Sequence, residues 1–519
     1  MSDYLVAIDA GTGSGRCVIF DAQGNQISIA SREWSHPSIP EFPGAFSFET
    51  EKNWQLLCES TKEALQSARI QPNEIRGVSA TSMREGMVLY DKDGREIWAC
   101  PNVDSRAERE VALLIKKGLA KKIYSKAGDW LAITSPPRFL WIKKHQPQVF
   151  KRIAHVNMIS DWILTRLSRK FSTDPSAGSS SNLFQLSKRN WSDEILVWLG
   201  LRRDIFPEVN EPGTVVGEVT PDASRETGLR EGTPVVQGGA DTQLALIGVG
   251  AVESNDTTTI GGTFWQQTIV TPKPLIDPQA RLRTLCHALP DLWMTEGIGF
   301  LCGLTMRWFR DAFCQREKEL AAQQGLDPYR LLEKEAESVP PGSDGVVPIF
   351  SDIMNAKRWI HASPSFLQFN INRPDRSGRK ECFRAIEESA VYVAKGHLSI
   401  LESLARRKTK EVVFCGGASK GFLWPRILSD VIGVKVKIPV VRESTALGAA
   451  ICAGVGAGVF PSVRETGRRL VKWDRVIDPD MKVHKKYSEL YDQWSKVYSR
   501  MLSLSEEGML EPMWRAAGT

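Results

Sequence analysis

Asp241 stands where the run PVVQGGA gives way to the apolar stretch TQLALIGVGAV. A carboxylate at such a junction has two uses. It can cap the following helix by accepting from the N–H of Gln243 or Leu244. It can also accept a hydroxyl proton during phosphoryl transfer, a reaction that needs positioning, Mg²⁺ and donors around the phosphate. On the second reading the helix dipole keeps the carboxylate ionised. Asp9, just before the glycine-rich DAGTGSGR, is badly placed against naked phosphate and well placed beside phosphate-bound Mg²⁺. Within that segment the backbone N–H groups around Gly11 and Gly13, with the Thr12 hydroxyl, can cradle phosphate; the plainer alternative is a hairpin turn. Arg84 and Glu85 in TSMREGM offer a donor and an acceptor to the hydroxyls of a small polyol, or form a solvated ion pair of little worth. Asp104 and Arg106 in NVDSRA pose the same choice. In CGGASKG, Gly416 and Gly417 let a base or ribose approach the backbone closely, or make an ordinary strand-to-helix turn.

These residues need elements to hold them. DAGTGSGR is not a dinucleotide fingerprint, because the third glycine position falls on Arg16 and an extended segment follows where a helix is required. No Gly-Lys-Ser/Thr follows either. The pattern is strand, glycine turn, strand, turn, strand. DTTTIGGTFWQQTIV repeats the design, and setting Gly11-Thr12 on Gly262-Thr263 gives an offset near half the chain. Such a repeat predicts two domains of related topology, each opening with a phosphate hairpin, which close on a nucleotide triphosphate from both sides. The expected boundaries are 1–248 and 249–519. Between the hairpins, apolar periodicity predicts a helix over 50–69, strands over 75–81 and 86–90, and a buried strand, Gly-Gly break and helix over 232–252. A long amphipathic helix from Glu381 to about Arg407 and a strand–loop–helix–strand unit over 411–440 follow. GLTMRWFRDAF has helical spacing, with Leu304, Trp308, Phe309 and Ala312 expected in the core. Residues 271–280, 340–345 and 373–380 read as connectors.

Composition narrows the class. The 519 residues exceed one compact core. Net charge is +6 with dispersed basic residues, so neither a nucleic-acid nor a membrane patch is expected. Nine scattered cysteines without a C-x-x-C pair, and seven isolated histidines, point to reduced thiols and away from zinc. No secretory leader or membrane span is expected, which suggests a cytoplasmic protein.

Taken as an ordered set, DAGTGSGR, SMRE, TSPPRFLWIKKH, GGAD, IGGT, FRAIEE and CGGASKG resemble the FGGY carbohydrate kinases over residues 4 to 500. The resemblance implies an α/β, actin-like ATPase (ribonuclease H-like) fold of two related domains with the active site in the cleft between them. It implies ATP and Mg²⁺ and a small-molecule substrate. GGTFWQQ, GLTMRWFRDAFC and IPVVRESTALGAAICAGVGAGVF narrow it to members that phosphorylate a small hydroxylated carbonyl compound. A kinase for a ketopentose or polyol such as xylulose or glycerol is the alternative, and a non-catalytic actin-like nucleotide-binding regulator the second. By resemblance Asp241 is the catalytic base and also touches substrate, Arg84 and Glu85 bind substrate hydroxyls, and Asp9 lies near the metal. Thr12, Gly13 and Arg16 belong to the first phosphate loop, Gly262 and Thr263 to the second, and Gly416, Gly417 and Ala418 to the nucleotide segment. A sugar-uptake phosphocarrier protein is implied as a regulator. Two positions depart from the family: Arg138 stands where many members have lysine, and Thr242 where several polyol kinases have Gln or Asn.

Overall fold

The computed structural model describes residues 3–353 and 360–516. In the first half, β1 (Tyr4–Ala10), β2 (Ser14–Asp21) and β3 (Gln26–Glu33) form an antiparallel meander, covered by α1 (Thr50–Ala68). β4 (Ile75–Ser82) pairs parallel with β1, β6 (Pro234–Ala240) pairs parallel with β4, and β5 (Val215–Glu218) closes the edge. The sheet order is β5-β6-β4-β1-β2-β3.

The second half repeats this plan. β7 (Thr257–Gly261), β8 (Trp265–Thr271) and β10 (Trp293–Gly299) are antiparallel, with β9 (Arg283–Cys286) added outside β10. β11 (Glu411–Cys415) and β12 (Lys435–Pro439) continue in parallel from β7, and β13 (Trp473–Ile477) pairs antiparallel with β12. The order is β9-β10-β8-β7-β11-β12-β13. In both sheets a meander is extended by two parallel strands from its first strand, which is the two-domain actin-like arrangement.

Each second parallel strand feeds a helix into the space between the sheets. β6 leads into α2 (Asp241–Gly248), and the loop after β12 leads into α6 (Ser444–Gly456). Apolar residues of both helices pack with Leu5, Ala7 and Val18 of the first sheet and Val270, Leu285 and Val413 of the second in one buried core. Separate cores lie on the outer face of each sheet. α3 (Cys302–Phe313), α4 (Arg379–Ala405) and α5 (Leu423–Ile432) cover the second sheet. Among the described residues no helix is long and apolar enough to cross a membrane.

Several expectations shift in detail. Gly238 and Gly239 do not end the strand, but the pairing of β6 with β4 shifts register between Val236 and Gly239, and a Cβ on Gly238 would lie 1.9 Å from the Ala80 carbonyl oxygen, so only glycine lets the strands approach. α4 begins at Arg379, so the last two residues of the expected 373–380 connector are helical. In α3 the buried face is Cys302, Thr305, Met306 and Phe309, while Leu304 and Trp308 are 38% and 45% exposed and Ala312 is exposed as well. The physical reason is the docking of the helix start: a Cβ on Gly303 would lie 2.2 Å from the Gly262 carbonyl oxygen. That close approach turns the adjacent 304–308–312 stripe outward.

Candidate active site

The β1–β2 turn is tied down by its carbonyls. Trp34 Nε1 donates to the oxygens of Gly11 (3.1 Å) and Thr12 (3.2 Å), and His36 Nε2 lies 2.8 Å from the Thr12 oxygen. The Thr12 hydroxyl meets Asn102 Nδ2 at 3.0 Å. The N–H groups of Thr12 and Gly13 have no hydrogen-bond partner among the described residues, and a Cβ on Gly13 would meet nothing within 4 Å. A turn whose carbonyls are held back and whose N–H groups are unspent, with open space over its glycine, has the form of an anion cradle.

The β7–β8 turn is pressed between two neighbours. Gly303 N donates to the Thr263 oxygen at 3.1 Å. On the other side, Gly416 adopts φ +88°, and a Cβ there would lie 2.7 Å from the Gly261 oxygen. Only glycine suits both the left-handed backbone and the contact. Arg475 holds this Gly416–Gly421 loop by donating to the oxygens of Ser419 and Gly421, both at 2.7 Å. The structure thus joins Gly262, Thr263, Gly416, Gly417 and Ala418 into one wall.

Asp9 is the last residue but one of β1, in a 1% exposed position, and its Oδ2 accepts from Arg16 Nε at 2.7 Å. Arg16 also reaches Glu443 Oε2 at 2.8 Å, so it bridges a first-sheet carboxylate to the loop preceding α6. Oδ1 of Asp9 accepts no hydrogen bond among the described residues. Among the described residues no group of three or more His, Cys, Asp or Glu is poised to hold a metal ion. One carboxylate oxygen beside a phosphate cradle fits a hard ion that takes its other ligands from phosphate and water.

Asp241 does not cap α2. Ala240 is the N-cap residue, and Asp241, the first helical residue, accepts at Oδ1 from its neighbour Thr242 N at 2.6 Å. The Thr242 hydroxyl lies 3.3 Å from the same oxygen, and Oδ2 has no hydrogen-bond partner among the described residues. Burial pushes this carboxyl up to about 6, against the opposing Arg84 charge, so it is still largely ionised at neutral pH. The side chain nevertheless keeps 39% accessibility.

Arg84 and Glu85 pair with other partners, not with each other. Arg84 Nε lies 3.7 Å from Asp241 Oδ1, and its Nη1 donates to Glu296 Oε1 at 2.7 Å. Glu85, with φ +62°, accepts at Oε1 from Arg283 Nη1 at 2.9 Å. Arg283 also donates to Asp129 Oδ2 (3.3 Å) and Glu296 Oε1. Burial raises the Asp129 carboxyl against the pull of Arg283. Burial also acts upward on Glu296, but Arg283 and Arg84 outweigh it and hold that carboxyl below its usual range. A chain of charges therefore runs from Asp241 across both halves into a cavity of about 550 Å³, lined by Glu85, Asp129, Arg283 and Glu296, with Phe300 and Trp514 in its apolar wall.

Arg138 explains its own presence. It is 1% exposed and donates to the Glu85 oxygen, to Asp104 O (2.9 Å) and to Pro101 O (3.1 Å), a set of contacts that a lysine ammonium does not reproduce in one plane. It fixes the strained turn carrying Arg84 and Glu85. Asp104 and Arg106 are structural: they pair at 2.8 Å and bind the backbone of Phe46 from both sides.

Sequence reasoning missed Asp129, Arg283, Glu296 and the closing segment at Trp514. A signal existed only for Glu296, a carboxylate in the middle of the strand WMTEGIG. Such a charge persists inside a buried strand only when it is paired.

Residues 4–248 match the N-terminal domain, and residues 259–457 the C-terminal domain, of the FGGY family of carbohydrate kinases. The chain is 47% identical over 518 residues to an autoinducer-2 kinase of Escherichia coli (strain SMS-3-5), covering 99% of this chain and 98% of that protein. It is 44% identical over 519 residues to the autoinducer-2 kinase of Yersinia enterocolitica, with the same coverage. Among solved structures, the ligand-bound xylulose kinase of Lactobacillus acidophilus superposes with a TM-score of 0.85 at 20% identity, over 98% of this chain and all of that one.

Proposed function

The chain belongs to the FGGY family of carbohydrate kinases, and within it we propose that it transfers the γ-phosphoryl group of ATP to the terminal hydroxyl of 4,5-dihydroxy-2,3-pentanedione, the autoinducer-2 precursor. The identity to curated autoinducer-2 kinases along almost the whole length favours this substrate over a ketopentose or glycerol, and a non-catalytic regulator is not favoured.

The observation that carries the mechanism is the placement of Asp241. It is uncapped, with one carboxylate oxygen unspent, at the inner end of a charge chain leading into the cavity. The substrate hydroxyl oxygen bonds to the γ-phosphorus as the bond from that phosphorus to the bridging oxygen breaks. ADP leaves, and the hydroxyl proton passes to Asp241. Arg84 and Glu85 hold the substrate, with Arg138 fixing their turn. Thr12, Gly13 and Thr263 supply N–H donors to phosphate, while Gly262, whose N–H is spent on the Phe264 oxygen at 3.0 Å, shapes the second turn, and Gly416, Gly417 and Ala418 form the nucleotide wall. Arg16 steadies Asp9, whose free oxygen would hold Mg²⁺; bound there, the ion neutralises charge on the phosphates. The two lobes, with boundaries at 1–248 and 249–519, close to exclude water. We place the activity in the cytoplasm, where ATP is available and the nine buried, free thiols stay reduced, under a sugar-uptake phosphocarrier protein as regulator.

ADP release is measured with Mg²⁺ and ATP on the dione, xylulose, ribulose, glycerol and buffer, for wild type and Asp241→Asn. Turnover on the dione that falls by about 10²- to 10⁴-fold in the variant is expected. Preference for a ketopentose overturns the substrate, and full activity of Asp241→Asn overturns the base.

A further inference from the structure

Arg283 lies on β9 at the wall of the cavity, its side chain 12% exposed. Its guanidinium is shared among three carboxylates, two from the first half (Glu85 and Asp129) and one from the second (Glu296). Its Nη2 makes no hydrogen bond among the described residues. Glu296 Oε2 is likewise buried without a partner. Buried polar groups are normally satisfied, and burying this many ions costs more than their mutual attraction returns unless the geometry is complete. An unspent arginine arm beside an unspent carboxylate oxygen, both in the cavity wall, marks a polar site completed by a ligand.

We propose, resting on the reading of the chain as a kinase for the dione, that Arg283 is a substrate-binding residue that selects for the vicinal dicarbonyl. The two carbonyl oxygens carry lone pairs and no protons. Glu85, Asp129 and Glu296 would repel them unless an N–H donor stands between. With Nε and Nη1 held by the carboxylates, the unspent Nη2 keeps its two N–H donors for the carbonyl oxygens. A polyol or ketopentose is less dependent on that donor, because its hydroxyls can donate to the same carboxylates. Arg283 thus admits the acceptor-rich dione into a cavity otherwise fit for hydroxyls.

The test compares wild type with Arg283→Lys, which keeps the charge that the three carboxylates need and loses the unspent Nη2 donor, and with Arg283→Met. KM and kcat for the dione, KM for ATP, the melting temperature and the dione-to-xylulose product ratio in direct competition are measured. In Arg283→Lys, KM for the dione rises about tenfold or more and the product ratio shifts toward xylulose by a similar factor, while KM for ATP and the melting temperature stay near wild type. Arg283→Met shows a larger loss if it folds; the lysine variant decides the matter if it does not. An unchanged KM for the dione and an unchanged product ratio in Arg283→Lys overturn the inference alone. A wild type inactive on the dione overturns the underlying reading, and the inference with it.

Discussion

Gly248 and Gly448 face one another across the crossing of α2 and α6. A Cβ on Gly448 would lie 2.0 Å from the Leu244 carbonyl oxygen, and a Cβ on Gly248 would lie 2.0 Å from that of Ser444. The contact is reciprocal, each glycine meeting the residue four positions before its counterpart. It brings together the two helices that follow the equivalent strands β6 and β12, so the two halves touch where their repeats correspond.

Alanine at either glycine therefore forces the helices apart. Gly448→Ala and Gly248→Ala should each lower stability by about 1–3 kcal/mol, read from urea unfolding. Gly13→Ala is the contrast, since its added methyl meets nothing within 4 Å. Its stability should stay within about 0.5 kcal/mol of wild type, while KM for ATP rises because the methyl fills the cradle.

Asp241 should set the acid limb of activity. With its carboxyl near 6, kcat/KM should be level above that pH and fall about tenfold per unit below it, as the base becomes protonated. Stability moves the other way. The folded protein holds this proton more tightly than the unfolded chain, whose aspartates titrate near about 3.9, so the group's stabilising contribution is full below that value and is lost as pH rises to about 6. Asp241→Asn should thus gain stability relative to wild type between pH 4 and 7, as thermal melts across that range would show. A flat difference would refute the raised carboxyl.

Glu296 is the anionic partner of two buried cations from different halves. Glu296→Leu leaves Arg84 and Arg283 without it and should cost about 3–5 kcal/mol. Glu296→Gln, which keeps an acceptor, should cost less. Equal losses in chemical denaturation would mean that the charge is not what holds the halves together.

Trp514 packs against Phe300 at 4.2 Å between ring centroids with the planes tilted by 34°, on a short strand paired with Ile360–His361. Trp514→Ala opens the apolar side of the cavity, so KM for the substrate should rise several-fold with KM for ATP unchanged. A selective change in KM for ATP would place the ring elsewhere in the function.

Lobe closure predicts a smaller radius of gyration in X-ray scattering when the dione and a non-hydrolysable ATP analogue are both present. No compaction with both ligands bound would leave the cleft rigid.

Much of this protein was legible from sequence because local rules dictate it. Glycine turns between β-branched runs announced both hairpins, the repeat announced two similar sheets, and the Asp241 junction announced a carboxylate at a strand end. What the sequence could not decide was pairing over distance. Arg84 reaches Glu296 and Glu85 reaches Arg283, some two hundred positions away, and no periodicity encodes such a partner. Nor could it decide between capping and catalysis for Asp241, since both uses favour the same residue at the same junction. The tertiary structure removed the capping use, making Ala240 the N-cap and setting Asp241 in the field of Asp9, Arg84 and Glu85. A pKa depends on burial and neighbouring charge, and both exist only once the two sheets have packed around α2 and α6.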